Sequence, residues 1–146
     1  MKLSEEEAVS HFKLLIGIND RADILKYFIE ELKLNFKSII NNENGDSILH
    51  FAVTFGAKKC LEYLLGIGKY NINTTNGSDA TPLTYACFYE DIINLLVQKG
   101  AKIDQQTIEV FTRSSYSYDE GKEVIESFYK KNGNNSSNKN YTLFKA

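Results

Sequence analysis

The side chains best suited to chemistry in this sequence are two histidines, His11 and His50, and two cysteines, Cys60 and Cys87. Residues of these types hold zinc or form nucleophile–base pairs when they recur at short fixed spacings such as HExxH or CxxC. Neither spacing occurs in the sequence, and no glycine-rich loop of the kind that cradles phosphate is found. We therefore expect no catalytic, metal-binding or cofactor-binding residues.

Adjacent carboxylates give no stronger signal for catalysis. Glu30-Glu31 and Asp119-Glu120 are pairs of the residue type that acid–base catalysis uses. Solvated helix faces and helix caps explain such pairs more simply, because carboxylates are common at both. The sequence thus predicts a protein that is not an enzyme and has no small-molecule substrate.

Composition and charge narrow the classes of partner. The chain has 146 residues, of which 42% are hydrophobic and 25% charged, as is typical of one globular domain. A net charge of −2 and only two arginines, Arg21 and Arg113, disfavour nucleic acid and acidic membranes as partners. The opening "MKLSEEE" has glutamates where a secretory signal is apolar, and the cysteines lack a disulfide pattern. We expect a cytoplasmic protein that is monomeric when free.

One apolar pattern occurs four times along the chain. Two adjacent apolar residues, two spacers and two more apolar residues form a stripe on one face of a helix. Successive stripes start 36, 32 and 32 residues apart, and a period of this length indicates a repeat protein. The stripes are Ile24, Leu25, Phe28, Ile29; Cys60, Leu61, Leu64, Leu65; Ile92, Ile93, Leu96, Val97; and Val124, Ile125, Phe128, Tyr129.

A shorter helix precedes each of the two middle stripes. Leu49 and Leu83 lie near the starts of these helices, which Ser47 would cap in the first case and Thr81 with Pro82 in the second. Asp20 and Asp91 stand where they would cap the longer helices. Gly56, Gly68 and Gly100 stand where helices should end, and Asn44-Gly45 and Asn76-Gly77 are typical of turns with positive φ. Each unit is predicted to be a turn followed by two antiparallel helices.

The stretches "DSILHFAVTFGAKKCLEYLLGIG" and "TPLTYACFYEDIINLLVQKGA" resemble ankyrin repeats, whose pattern runs TPLHxAAxxG, then an apolar helix, then GA. The resemblance implies an all-α, ankyrin-type helical solenoid of about four helix–turn–helix repeats, in which His50 bonds to the backbone of the neighbouring turn. The second stretch departs from the pattern, since Leu83 to Ile92 is 9 residues where Leu49 to Cys60 is 11. We expect one domain over residues 1–131, with repeats at 41–73 and 74–104, degenerate capping repeats at 4–40 and 105–131, and a flexible tail at 132–146.

The resemblance also implies a function, because ankyrin proteins bind partners through turn tips and the exposed side of the inner helices. We expect a non-enzymatic module that binds a partner protein on its concave face and acts by occlusion or tethering. It could serve as a small cytosolic inhibitor, such as an immunity protein neutralising a cognate toxin, or as an adaptor or host-directed effector. The predicted contact residues are the aromatic residues Phe55, Phe88 and Tyr89, the tip residues Asn44, Asp46, Thr75, Ser78 and Asp79, and, by extension, Tyr116 and Tyr118.

Two alternatives remain open in the sequence. Phe88 and Tyr89 would also suit a structural role, filling the space left by the two-residue deletion. The apolar end of the tail, Tyr141 to Phe144, would suit either a short binding peptide or a segment folded back on the last helix.

Overall fold

A computed structural model describes residues 4–14, 20–33, 43–87 and 89–114, together with Glu123, Glu126 and Ser127. In these segments the chain forms six α-helices and one 3-10 helix, and the prediction of an all-α protein is confirmed. The helices are α1 (Glu5–Leu14), α2 (Ala22–Glu30), α3 (Ile48–Thr54), α4 (Lys58–Gly66), the 3-10 helix Pro82–Ala86, α5 (Glu90–Gln98) and α6 (Gln105–Ser114).

The helices form two layers, as a solenoid of helix pairs requires. Helix α3 packs on the 3-10 helix, which in turn packs on α6, and the Phe12 ring of α1 contacts Phe51 of α3, so these four elements form an inner row. Helices α2, α4 and α5 pack on one another in sequence and form an outer row. Contacts between α3 and α4, and between the 3-10 helix and α5, join the rows.

The core lies between the rows and contains residues of the first three predicted stripes, of which Ile24, Phe28 and Leu65 are only partly buried. Leu25 and Ile29 are buried in the first stripe, Cys60, Leu61 and Leu64 in the second, and Ile92, Ile93, Leu96 and Val97 in the third. The fourth stripe, Val124 to Tyr129, lies outside the described residues except for Glu126 and Ser127. Leu49 and Leu83, one from each central inner helix, are fully buried between these stripes.

The inner helix of the second central repeat is not the α-helix that the sequence predicts. Residues Pro82–Ala86 form a 3-10 helix, with Pro82 in its first turn. A 3-10 helix rises about 2.0 Å per residue against 1.5 Å for an α-helix, so its five residues span nearly the same length as the seven of α3. The stretched helix therefore compensates for the two deleted residues.

Helix capping agrees with the sequence at some positions and differs at others. The Ser47 hydroxyl accepts hydrogen bonds from Leu49 N and His50 N, as predicted for a cap. Thr81 occupies the N-cap of the 3-10 helix without a side-chain capping bond. The prediction for Asp91 is wrong, because Tyr89 is the N-cap of α5 and Asp91 lies in its first turn.

Asp20 caps a helix in the next repeat rather than its own. Arg21 is the N-cap of α2, and Asp20 precedes it with a φ of 48°. Its carboxylate oxygens accept hydrogen bonds from Lys59 N and Cys60 N, both at 2.9 Å, at the start of α4. The predicted cap is therefore a bridge between neighbouring helix pairs.

The Asn-Gly turns also differ from each other. Gly45 has the predicted positive φ, 69°, but in the second turn the positive φ falls on Asp79, at 59°, and Gly77 has none. Gly77 N instead donates to Asn44 O at 2.7 Å, and a Cβ on Gly77 would lie 3.0 Å from that oxygen. Glycine is favoured at 77 because two successive turns approach each other closely.

Truncating the core should have a large effect on stability. Leu49→Ala is expected to lower the free energy of unfolding by about 2–5 kcal/mol, because it removes a fully buried side chain and leaves a cavity between helix pairs. Urea denaturation followed by circular dichroism measures this loss. Leu14→Ala is the matched control: Leu14 is largely exposed, and an equal loss there would contradict the assignment of the core.

Asp20 provides a second stability test. Asp20→Ala should cost about 1–3 kcal/mol, since two helix-start N–H groups lose their acceptor and alanine is strained at positive φ. Asp20→Asn should cost less, because asparagine tolerates positive φ and keeps one acceptor oxygen. Equal urea midpoints for Asp20→Ala and the wild-type protein would show that the bridge does not stabilise the fold.

Candidate protein-interaction surface

Two aromatic side chains, Phe51 of helix α3 and Phe55 at its C-cap, contact each other. Phe51 and Phe55 are four residues apart, which places them on one face of the helix. Their ring centroids are 4.8 Å apart, and the Phe51 ring is 6.2 Å from the buried Phe12 ring of α1. Phe51 is partly buried, but Phe55 remains 48% exposed at the end of the helix. An exposed phenylalanine backed by a second aromatic ring is typical of a contact surface.

Tyr89 lies beside the turn that follows α3. Its hydroxyl donates to Thr54 O at 3.3 Å, and a Cβ added to Gly56 would lie 2.8 Å from the Tyr89 ring. Tyr89 is partly buried by this contact. It therefore has a structural role on the α3–α4 turn, at the two residues that flank Phe55 in the sequence. We call Phe51, Phe55 and Tyr89 the aromatic stripe.

One cation lies against the stripe. Lys13 of α1 is exposed, and its Nζ is 5.8 Å from the centroid of the Phe51 ring, within cation–π range. Lys13 and Phe51 were not among the residues predicted from the sequence. The spacing of Phe51 to Phe55 could have indicated the first ring, whereas the position of Lys13 depends on how α1 packs on α3.

The predicted tip residues divide into exposed and buried groups. Asn44, Thr75, Ser78 and Asp79 are exposed, as a rim requires. Asp46 is only 7% exposed, and its predicted place on an accessible rim is wrong.

Asp46 is buried because it joins two turns. Its Oδ1 accepts hydrogen bonds from Asn76 Nδ2 at 2.8 Å and from the Tyr85 hydroxyl at 2.9 Å. Asn76 Oδ1 accepts in turn from the backbone N–H groups of Ser78 and Ala80. Burial, together with the hydrogen bond to the Asp46 carboxylate, raises the pKa of Tyr85 to about 12. The network fixes the second turn against the first.

The tips and the stripe lie at opposite ends of the inner helix. Ser47 begins α3 on the turn side and Phe55 ends it, so eight residues at 1.5 Å each separate them by about 12 Å along the helix axis. The exposed tips therefore flank one end of the surface and do not surround the aromatic residues as predicted. Phe88, Tyr116 and Tyr118 lie outside the described residues.

His50 has the structural contact that the resemblance implies. The side chain is fully buried, with Nε2 2.7 Å from Ala80 O and Nδ1 3.1 Å from Ser47 N. Because Nδ1 accepts from a backbone N–H, the proton lies on Nε2 and the ring is neutral. Burial lowers the pKa of His50 below its ordinary value of 6.5. The imidazole links the first central repeat to the turn of the second.

The other candidate groups are also held in local contacts. His11 Nδ1 lies 2.6 Å from Glu7 O, and Glu30 accepts from the Tyr63 hydroxyl at 3.2 Å. Cys60 is buried, and burial raises the pKa of its thiol to about 12. Within the described segments no three His, Cys, Asp or Glu side chains are grouped so that they could hold a metal ion. Asp119-Glu120 lies outside the described residues.

Known proteins agree with this architecture. A family model for ankyrin repeats, in three copies, matches residues 13–107, which is more than half of the chain. The chain therefore belongs to the ankyrin repeat family. Repeats of this family are protein-interaction modules whose stacked units form extended concave binding surfaces.

Individual relatives match parts of the chain. The BTB/POZ domain and ankyrin repeat-containing protein NPR3 of Oryza sativa subsp. japonica is 38% identical over 61 residues, which is 40% of this chain and 10% of that protein. The human ASB11 ankyrin repeat domain superposes with a TM-score of 0.60 at 23% identity, covering 83% of this chain and 53% of the other. The chain spans about a tenth of the first protein and about half of the second, and the second likeness shows the fold alone.

The described helices carry no membrane-spanning candidate. In the segments that the structure describes, none is both long and apolar enough to cross a bilayer.

The buried imidazole predicts a dependence of stability on pH. In the unfolded chain His50 has a pKa near 6.5, and in the folded protein its pKa is lower. Between these two values the unfolded state binds more protons, so the free energy of unfolding falls as the pH is lowered through about 6.5. Chemical denaturation at a series of pH values above and below 6.5 measures the slope, and NMR titration of the His50 ring measures the pKa itself. His50→Gln should flatten the slope in this window; an unchanged slope, or a ring pKa above 6.5, would contradict the assignment.

Proposed function

We propose that this protein binds a partner protein through the aromatic stripe and acts by occlusion or tethering, without catalysing a reaction. The observation that carries the proposal is Phe55, which is 48% exposed at the C-cap of an inner helix whose Ile48, Leu49 and Val53 are buried. Aromatic residues are enriched at the centres of protein interfaces, where a few of them supply most of the binding free energy.

The hydrogen bonds of the polar residues support a scaffold rather than an enzyme. His50 and Asp46 have side chains of the types that acid–base catalysis uses, but both are buried and hydrogen-bonded to neighbouring turns. Their contacts hold repeats together, and neither side chain is open to a substrate. The exposed polar residues of the tips would then form the outer rim at one end of the interface.

Whether the protein acts as an inhibitor or as an adaptor depends on which surface of the partner it covers. An inhibitor would cover the partner's own working surface, and an adaptor would leave that surface free. Both would use the same face of this protein. We further propose that it acts as a monomer in the cytoplasm, where the free thiols of Cys60 and Cys87 would stay reduced.

Replacing Phe55 tests the proposal. Phe55→Ala should weaken partner binding about 30-fold, or about 2 kcal/mol, because it removes the exposed centre of the stripe while leaving the core intact. The partner is first identified by affinity capture from the native cell, and its affinity is then measured with purified proteins by isothermal titration calorimetry.

Tyr27→Ala is the matched control, since Tyr27 is 52% exposed on the outer helix α2. This variant should bind with wild-type affinity, and circular dichroism should show both variants to be folded. A folded Phe55→Ala protein with unchanged affinity would reject the aromatic stripe as the binding surface.

A further inference from the structure

The aromatic stripe carries a positive charge, that of Lys13, without a paired carboxylate in the described segments. The Nζ of Lys13 lies over Phe51, and Lys13 makes no ion pair within the described segments, where Arg21 and Asp23 form such a pair at 2.9 Å. Lys13 is exposed, so its ammonium group is accessible to a bound molecule.

The sequence around Lys13 explains why no carboxylate pairs with it in the segments that the structure describes. On a helix the neighbours of residue 13 towards the N-terminus are three and four positions away, and these are Ser10 and Val9. Helix α3, which carries the phenylalanines, has the sequence ILHFAVT and contains no acidic residue. Neither of the two helices that form this part of the stripe supplies a counter-charge beside the ammonium group.

We propose that the partner segment seated on the stripe is acidic and apolar, with a carboxylate at Lys13 and an aliphatic or aromatic side chain against Phe55. This proposal rests on the proposed function and specifies its partner. Charge complementarity carries it: an accessible cation on the Phe51 ring, next to the exposed Phe55, favours an anionic group next to an apolar one. Burying Lys13 against a neutral or basic segment would leave its charge unpaired.

The spacing of the two contacts sets the spacing in the partner. Lys13 Nζ lies 5.8 Å from the Phe51 centroid and Phe55 lies 4.8 Å from it, so the ammonium and the Phe55 ring are within about 11 Å of each other. Residues two apart on one face of an extended segment are about 7 Å apart, and residues three or four apart on a helix about 6 Å. A single short segment of either kind therefore reaches both contacts.

A nucleic acid or a phosphorylated ligand fits the stripe less well. Among the described residues, Lys13 is the one cation found over the aromatic rings, and the chain as a whole has a net charge of −2. Phosphate backbones are bound by several cations at once. One cation with aromatic neighbours instead fits one carboxylate with an apolar neighbour.

A charge swap tests the proposal with defined peptides. The probe is a fluorescein-labelled dodecapeptide in which glutamates flank a Leu-Phe pair in a Gly-Ser background. Matched probes replace the glutamates by lysines, or the Leu-Phe pair by Ala-Ala. Fluorescence anisotropy measures binding at low and at physiological ionic strength.

The wild-type protein should bind the glutamate probe best, with affinity that falls as salt is added. Lys13→Glu should weaken that binding at least 10-fold and give the lysine probe the advantage. Phe55→Ala should weaken binding to both charged probes. Lys26→Glu is the control, because Lys26 is an exposed lysine on the outer helix α2 and its replacement changes the net charge equally.

Three results would overturn the proposal. The first is equal binding of the glutamate probe to the wild-type and Lys13→Glu proteins. The second is a wild-type preference for the lysine probe or for a peptide of residues 139–146, which would make the protein's own tail the occupant. The third is self-association of the wild-type protein in sedimentation velocity that Lys13→Glu abolishes, which would make a second copy the occupant. The natural partner separates the two proposals. If Phe55→Ala weakens binding of the natural partner and Lys13→Glu does not, the proposed binding surface is supported and the proposed acidic segment is rejected. If neither substitution weakens binding, both proposals are rejected.

Discussion

Burial of apolar stripes between stacked helix pairs is the interaction on which the rest of this structure depends. No single pair could remove its stripe from water alone, so each pair is stable only against its neighbours. Leu49, Leu61 and Leu83 are fully buried at these contacts. The inner helices pack on these stripes and on one another, and Phe55 at the end of α3 is left 48% exposed by those contacts.

Hydrogen bonds between repeats give the stack its geometry. Asp20 accepts from the start of α4, His50 donates to Ala80 O, and Asp46 bonds the side chains of Asn76 and Tyr85. Each bond joins one repeat to the next, and those of Asp20 and His50 give partners to backbone groups that would otherwise lack them. The polar residues that the sequence offers for catalysis or metal binding therefore orient the repeats, and the proposed binding surface consists of residues with little intrinsic reactivity.

The sequence predicts the periodic features well and the contacts between repeats poorly. Stripes such as Ile92 to Val97 follow from helical spacing, and the Ser47 cap follows from local residue preference. The 3-10 form of Pro82–Ala86, the bridge made by Asp20 and the burial of Asp46 depend on what a neighbouring repeat presents, which spacing within one repeat does not encode. At the candidate surface Phe55 was predicted, and Lys13 was missed because its neighbour Phe51 is on another helix.

The central claim is that a partner protein covers the inner face at the end of α3. Hydrogen–deuterium exchange of the free and partner-bound protein tests this most directly, since it reports every backbone amide at once. The account predicts that binding slows exchange in Phe51 to Gly56 and at the end of α1, with little change in α2, α4 and α5. Protection confined to those outer helices, with unchanged exchange from Phe51 to Gly56, would contradict it.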